Sequence, residues 1–322
     1  MTAPRERTRL HGHDAAWQQF ASVMHAGRLH HAWLLTGVEG IGKATMAFMM
    51  ARALLKAPDH NSAVGRRITA GTHADLLVIA RGVDEKTRRP RREIVGDDVR
   101  PIGAFLRRTA AEGGWRVVIV DGAEYMNRTA SNAILKILEE PPTGAILILT
   151  CAAPGRLLPT IRSRCRTLDL GPLPPHDLHA VLTDVVDDAY RADIENIIPL
   201  SHGSAGRALS LLHRDGIKLS ALVEQVMDGQ AGGTDAYRIA SSITESENGF
   251  SVFFDLLCDA ISVRTRELLR APRGEGQSRD DTRPERMAGA WQDLVRLRAE
   301  TENFNLDKQQ ALLTALARVN AI

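Results

Sequence analysis

Short apolar runs alternate with stretches of helical periodicity through the first half of the chain, and only helical periodicity follows. Runs rich in aliphatic and β-branched residues predict strands at Ala32–Thr36, Leu76–Ala80, Val117–Asp121, Ala145–Cys151 and Thr167–Leu170. Gly42–Lys56 has the spacing of a helix. Asp97–Glu112 predicts another, with Asp97 or Asp98 as N-cap and Val99, Ile102, Phe105 and Leu106 on one face. In Thr129–Glu140, residues Ala130, Ala133, Ile134, Ile137 and Leu138 recur at helical spacing. That helix must stop at Pro141-Pro142, because proline removes a donor and disfavours helical backbone in the residue before it. Strands alternating with helices are the pattern of a parallel sheet with crossover helices.

Beyond Gly171-Pro-Leu-Pro-Pro175 no strand pattern remains. The layout therefore predicts three domains: an α/β domain over residues 1–170, a small helical domain over 171–215 and a larger all-helical domain over 216–322. Within the last, Ala271–Glu285 is polar, contains Gly and Pro and lacks periodicity, so it predicts a flexible loop. Phe250, Phe253 and Phe254 have helical spacing and are expected in the core.

Composition narrows the function class only a little. The 322 residues include 44% hydrophobic and 25% charged residues, as in ordinary globular proteins, and the net charge of +2 gives no general attraction to nucleic acid. Three widely spaced cysteines, Cys151, Cys165 and Cys258, predict neither a disulfide framework nor a zinc site, and fit a reducing compartment. The first residues contain no apolar stretch of the signal-peptide kind, and the longest apolar run, Ala145–Ala153, is too short to span a bilayer. The expected location is the cytoplasm. Lys86–Arg92 is the strongest basic cluster; it suits either contact with DNA phosphates or a solvated loop.

The chemistry concentrates after the first strand. Gly37-Val-Glu-Gly40-Ile-Gly42-Lys43-Ala44 matches the phosphate-binding pattern G-x-x-x-x-G-K but ends in Ala where Ser or Thr is expected. In such a loop, backbone N–H groups and a helix N-terminus cradle phosphate while the lysine reaches the outer phosphates. The missing hydroxyl normally ligates Mg²⁺. Thr45 lies about 100° further around the helix and should point elsewhere. The third strand ends in Asp121, where a metal-coordinating acid belongs, but Gly122 follows it and Glu124 lies beyond the strand. Two defects therefore predict no hydrolysis by this chain alone. Lys43 and the glycines still leave open whether ATP or ADP binds without turnover.

Trp115–Pro142 (WRVVIVDGAEYMNRTASNAILKILEEPP), Gly27–Trp33, Ile161-Arg-Ser163-Arg164-Cys165 and Gly203-Ser-Ala-Gly-Arg207 occur in an order and spacing that resemble the clamp-loader branch of the AAA+ superfamily. Within it the chain is most similar to the delta-prime family of bacterial DNA polymerase III subunits. The motor family (gamma/tau) usually keeps Lys-Thr and Asp-Glu in the two motifs and has a four-cysteine zinc module. Here Lys56–Asp75 holds no cysteine, and His60 and His73 make no metal site by themselves.

The resemblance implies an AAA+ P-loop domain with a parallel sheet, a helical lid and a helical collar. It implies a hetero-pentamer with motor (gamma/tau) and delta subunits that acts on a sliding clamp and primed DNA. It also implies that Arg164 reaches across a subunit joint to a neighbour's ATP, as an arginine finger in trans. Gly37, Gly40, Gly42, Lys43, Ala44, Thr45, Asp121, Thr150 and Arg207 would form the degenerate local nucleotide site, Thr150 and Arg207 as its two sensor residues. No metal site is expected. The alternatives are an active AAA+ motor ATPase and a related remodeller of another DNA-processing complex.

Overall fold

The computed structural model describes residues 3–7, 9–57, 59–84, 90–112, 114–230, 232–246, 248–270 and 283–321. Its first half is built from α1 (Asp14–His25), β1 (Ala32–Thr36), α2 (Lys43–Leu54), α3 (Ala63–Ala70), β2 (Leu76–Ile79), α4 (Gly96–Arg107), β3 (Arg116–Val120), α5 (Arg128–Glu139), β4 (Ala145–Cys151), α6 (Pro159–Arg162) and β5 (Arg166–Asp169). Helices α7 (Pro175–Val185), α8 (Ile194–Leu200), α9 (Ala205–Leu212), α10 (Gly216–Met227), α11 (Thr234–Glu245), α12 (Gly249–Arg270), α13 (Arg283–Phe304) and α14 (Lys308–Asn320) follow.

All five strands pair in parallel, in the order β2-β3-β4-β1-β5. β1 is flanked by β4 and β5, so the chain leaves it for the far edge of the sheet and returns later on its other side. Open α/β sheets bind ligands at the carboxyl ends of strands where the order reverses in this way. The sheet's central strands are apolar on both faces, as parallel strands must be when helices cover both. On one face Ala32, Leu34, Val118, Val120, Leu147 and Leu149 pack against Val99, Ile102 and Leu106 of α4 and Ile134 and Leu138 of α5. Trp33, fully buried, meets Phe20 of α1 edge-on at 5.3 Å.

Two expected helix boundaries need correction. The N-cap of α4 is Val95, not Asp97 or Asp98. Asp98 sits in the first turn, where its carboxylate accepts the Val95 N–H at 2.8 Å and a bond from Arg91 at 2.7 Å. The same helix ends at Arg107, not at Glu112. The backbone beyond it is claimed from elsewhere: buried Asp75 accepts the N–H groups of Ala111 and Glu112, and the Arg116 guanidinium donates to the carbonyls of Leu106 and Arg108. By contrast α5 has the expected stop, and it starts on Asn127, whose side chain accepts the Ala130 N–H at 3.0 Å.

Of the basic cluster Lys86–Arg92, residues 86–89 lie outside the described residues. Pro90 bridges Val83, and Arg91 is tied to Asp98. The expected loop Ala271–Glu285 also lies outside the described residues up to 282, while Arg283–Glu285 open α13 instead.

Two compact units emerge. One comprises residues 1–186 and 202–207; the other comprises 187–201 and 208–322. In the second, α12 and α13 run antiparallel, pinned by Arg298 to Asp255 and by Ser251 to Glu302 at 2.7 Å. Phe250, Phe253 and Phe254 are buried there, as the periodicity predicted. No helix among the described residues is long and apolar enough to cross a membrane.

Candidate functional site

The loop from Gly37 to Gly42 leaves β1 and runs into α2, with its lysine as the first helical residue. Every carbonyl from Gly37 to Ile41 has a partner. The Lys43 ammonium donates to Gly37 O and Val38 O, each at 2.8 Å. The Ser204 hydroxyl donates to Glu39 O at 2.8 Å, and the Gly206 N–H donates to Gly40 O at 2.9 Å. The buried His13 ring meets Ile41 O through Nε2 at 2.9 Å. The lysine that would serve a phosphate is thus folded back onto its own loop. Burial pushes its pKa down, against the opposing pull of Glu124, Asp121 and Glu39.

Gly40 and Gly206 touch backbone to backbone. A Cβ on Gly206 would stand 2.6 Å from Gly40 Cα, and one on Gly40 would stand 2.7 Å from Gly206 Cα. Neither neighbour can yield, because both are main chain. Replacing a helical glycine by alanine ordinarily stabilises by about 0.5–1 kcal/mol. Gly206→Ala should do the reverse and cost about 1–3 kcal/mol through overpacking. Gly155→Ala, which would meet nothing within 4 Å, is the control. A lower unfolding midpoint for the first variant alone is the expected result.

Asp121 and Thr150 come together at the carboxyl ends of β3 and β4. The threonine hydroxyl donates to Asp121 Oδ1 at 2.6 Å and accepts the Gly122 N–H at 2.9 Å. Glu124 also reaches this edge, which its place beyond the strand did not suggest. Its carboxylate accepts the Ala152 N–H at 2.8 Å and is the first of the charges that hold a proton on Lys43. Beside it the Cys151 thiol is pushed up to about 11, chiefly by burial and then by Glu124, and stays protonated. Thr45 is buried, at 7% exposure, and Ala44 beside it offers no oxygen. Arg207 lies in the first turn of α9, its N–H held by Ser204 Oγ at 3.2 Å. Among the described residues no group of His, Cys, Asp and Glu is arranged to hold a metal.

Arg164 stands apart from this group. It follows α6 and pairs with Glu139 at 3.1 Å, with 37% of its side chain exposed. Its neighbours in the alternating basic run behave differently: Arg162 is exposed, and Arg166 lies over the Trp33 ring at 5.3 Å. The three arginines are therefore not one uniform basic face. Sequence reasoning missed His13, Glu139 and Ser204, and set Glu124 aside. Glu124, Glu139 and Ser204 fell inside stretches already singled out, and none carried a signal of its contacts.

A family model described as DNA polymerase III, delta subunit, matches residues 12–174, about half of the chain. The DNA polymerase III subunit delta' of Pseudomonas aeruginosa is 36% identical over 255 residues, covering 76% of this chain and 74% of that protein. The subunit delta' of Escherichia coli is 30% identical over 240 residues, covering 72% and 69%. Among solved structures, a gamma subunit-related protein of Thermotoga maritima aligns with a TM-score of 0.47 at 20% identity, covering 94% of this chain and 99% of that one.

Proposed function

The chain belongs to the delta-prime family of clamp-loader subunits of bacterial DNA polymerase III, and we propose that within that assembly it completes a neighbour's ATPase site and runs none of its own. Its role in DNA replication as an AAA+ clamp-loader subunit follows from the family. The division of labour is inferred from the loop. One observation carries it: the Lys43 ammonium gives two of its three donors to Gly37 O and Val38 O. Only one donor is left for phosphate unless those bonds break, and the packing of Gly40 on Gly206 favours the loop shape that makes them. Ala44 and Gly122 remove the magnesium-side hydroxyl and the second acid as well.

In this reading Arg164 is the trans-acting residue. A permanently charged, planar donor stabilises the charge spread over a transferring phosphoryl group, and it can do so across a subunit joint. The partners are motor (gamma/tau) and delta subunits in a hetero-pentamer, working on a sliding clamp and primed DNA in the cytoplasm. Residues 1–170 supply the P-loop domain, 171–215 the lid and 216–322 the collar that joins the ring.

The test is ATP turnover by the purified chain with Mg²⁺. No hydrolysis above background is expected, and Lys43→Ala should change nothing. Robust turnover that Lys43→Ala abolishes would overturn the reading in favour of a motor ATPase.

A further inference from the structure

Helix α5 ends on Glu139, with Glu140 as its C-cap. Carboxylates suit that place poorly, because the last carbonyls give a helix C-terminus partial negative charge and favour cations there. The Glu139 carboxylate is turned to use. Its Oε1 lies 3.1 Å from Nη2 of Arg164, while Nη1 of the same guanidinium donates to the Thr160 carbonyl at 3.1 Å. One grip comes from α6, the short helix just before the arginine, and the other from a different element. A hydrogen bond on one nitrogen and an ion pair on the other restrict the plane of the fork as well as its position, and the side chain remains 37% exposed.

We propose that Glu139 is a positioning residue for Arg164, holding the guanidinium in the orientation in which it meets an anionic phosphate bound by the adjoining subunit. The proposal rests on the reading of Arg164 as a trans-acting arginine. A long side chain left unheld spreads over many rotamers, and only some of them present the fork to the phosphate. A donor oriented beforehand needs no rearrangement when the phosphate's charge develops. The placement of an acid at the wrong end of a helix dipole then has a function outside the helix.

The experiment compares Glu139→Ala, Glu139→Gln, Arg164→Ala and the Glu139→Ala/Arg164→Ala double variant in the reconstituted clamp loader, with ATP turnover followed against ATP concentration in the presence of clamp and primed DNA. Glu139→Ala should lower kcat about 3- to 10-fold by loosening the geometry. KM for ATP should hold, since the neighbour binds the nucleotide. Glu139→Gln keeps an acceptor oxygen without the charge and should restore part of the loss. In the double variant Glu139→Ala should add nothing to Arg164→Ala, because two residues acting as a unit are not additive. Full turnover in Glu139→Ala beside a depressed Arg164→Ala would overturn the proposal alone. So would turnover raised above wild type, or an additive double variant. Unchanged turnover in Arg164→Ala would instead sink the trans-acting reading and this proposal with it.

Discussion

Arg164→Ala in the reconstituted complex is expected to leave the ring assembled and, on the proposed trans-acting role, to lower turnover at the neighbouring joint by about 10³-fold, the low end of what an arginine supplied in trans contributes. The fold should hardly notice. Arg164 is about one-third exposed and its partner Glu139 about half exposed, and a pair of that kind contributes about 0–1 kcal/mol. Because the change removes a donor that acts on developing charge, the loss should fall on kcat and spare KM. Arg164→Lys should recover little: an ammonium is a point charge and lacks the planar fork that meets two phosphate oxygens together. Size-exclusion of the assembled complex and clamp-stimulated ATPase check the two halves. Normal assembly with normal ATPase would reduce Arg164 to a surface charge. The total loss will be smaller than that at the single joint if other joints keep firing, so single-turnover measurements are the sharper readout.

The sheet was legible because a parallel strand buried on both faces has to be an unbroken apolar run. Ala32–Thr36 and Ala145–Cys151 were read to the residue. Helix α5 was legible for a related reason: its apolar stripe repeats strictly, and a proline pair ends it. Helix α4 was harder at both ends. Asp97-Asp98 looks like a cap, yet the acid acts from the third helical position back onto Val95. Its far end is decided by Asp75 and Arg116, residues distant in sequence that capture the following backbone. Local pattern carries no trace of such long-range claims.

The site divided along the same line. Motif spacing named Lys43, Asp121 and Thr150, and the structure places all three at one edge of the sheet. What spacing could not convey is where hydrogen bonds go. That five consecutive loop carbonyls are all satisfied by Lys43, Ser204, Gly206 and His13 depends on groups from opposite ends of the first unit. Glu124 was set aside because it lies past the strand. A short turn over Ala123–Tyr125 returns it to Ala152 and to the field of Lys43.

That turn also decides how the missing acid behaves when it is put back. Gly122 lies at φ +80°, and a Cβ there would stand 2.8 Å from Cδ2 of Tyr125. The ring has little room to retreat, since the Arg81 guanidinium lies over it at 3.7 Å. A non-glycine residue in this left-handed conformation costs about 1–2 kcal/mol before any clash. Displacing the ring adds about 1–3 kcal/mol. Gly122→Glu, alone or with Ala44→Thr, should therefore lower stability by about 2–5 kcal/mol and produce no ATPase. Gly122→Asn should cost less, because asparagine tolerates the left-handed region better. Denaturant unfolding of the three variants beside turnover assays checks this. An unaltered midpoint for Gly122→Glu would mean that the turn relaxes freely, and turnover in the double variant would mean that only two side chains separated this chain from an ATPase. The glycine matters because its N–H also donates to Thr150, which in turn donates to Asp121. A side chain on the residue after Asp121 is expected to strain the turn that supplies this contact between the ends of β3 and β4. The missing acid and the Gly122–Thr150 bond belong to the same backbone turn, so a carboxylate placed after Asp121 is expected to carry a backbone cost that a side-chain replacement elsewhere would not.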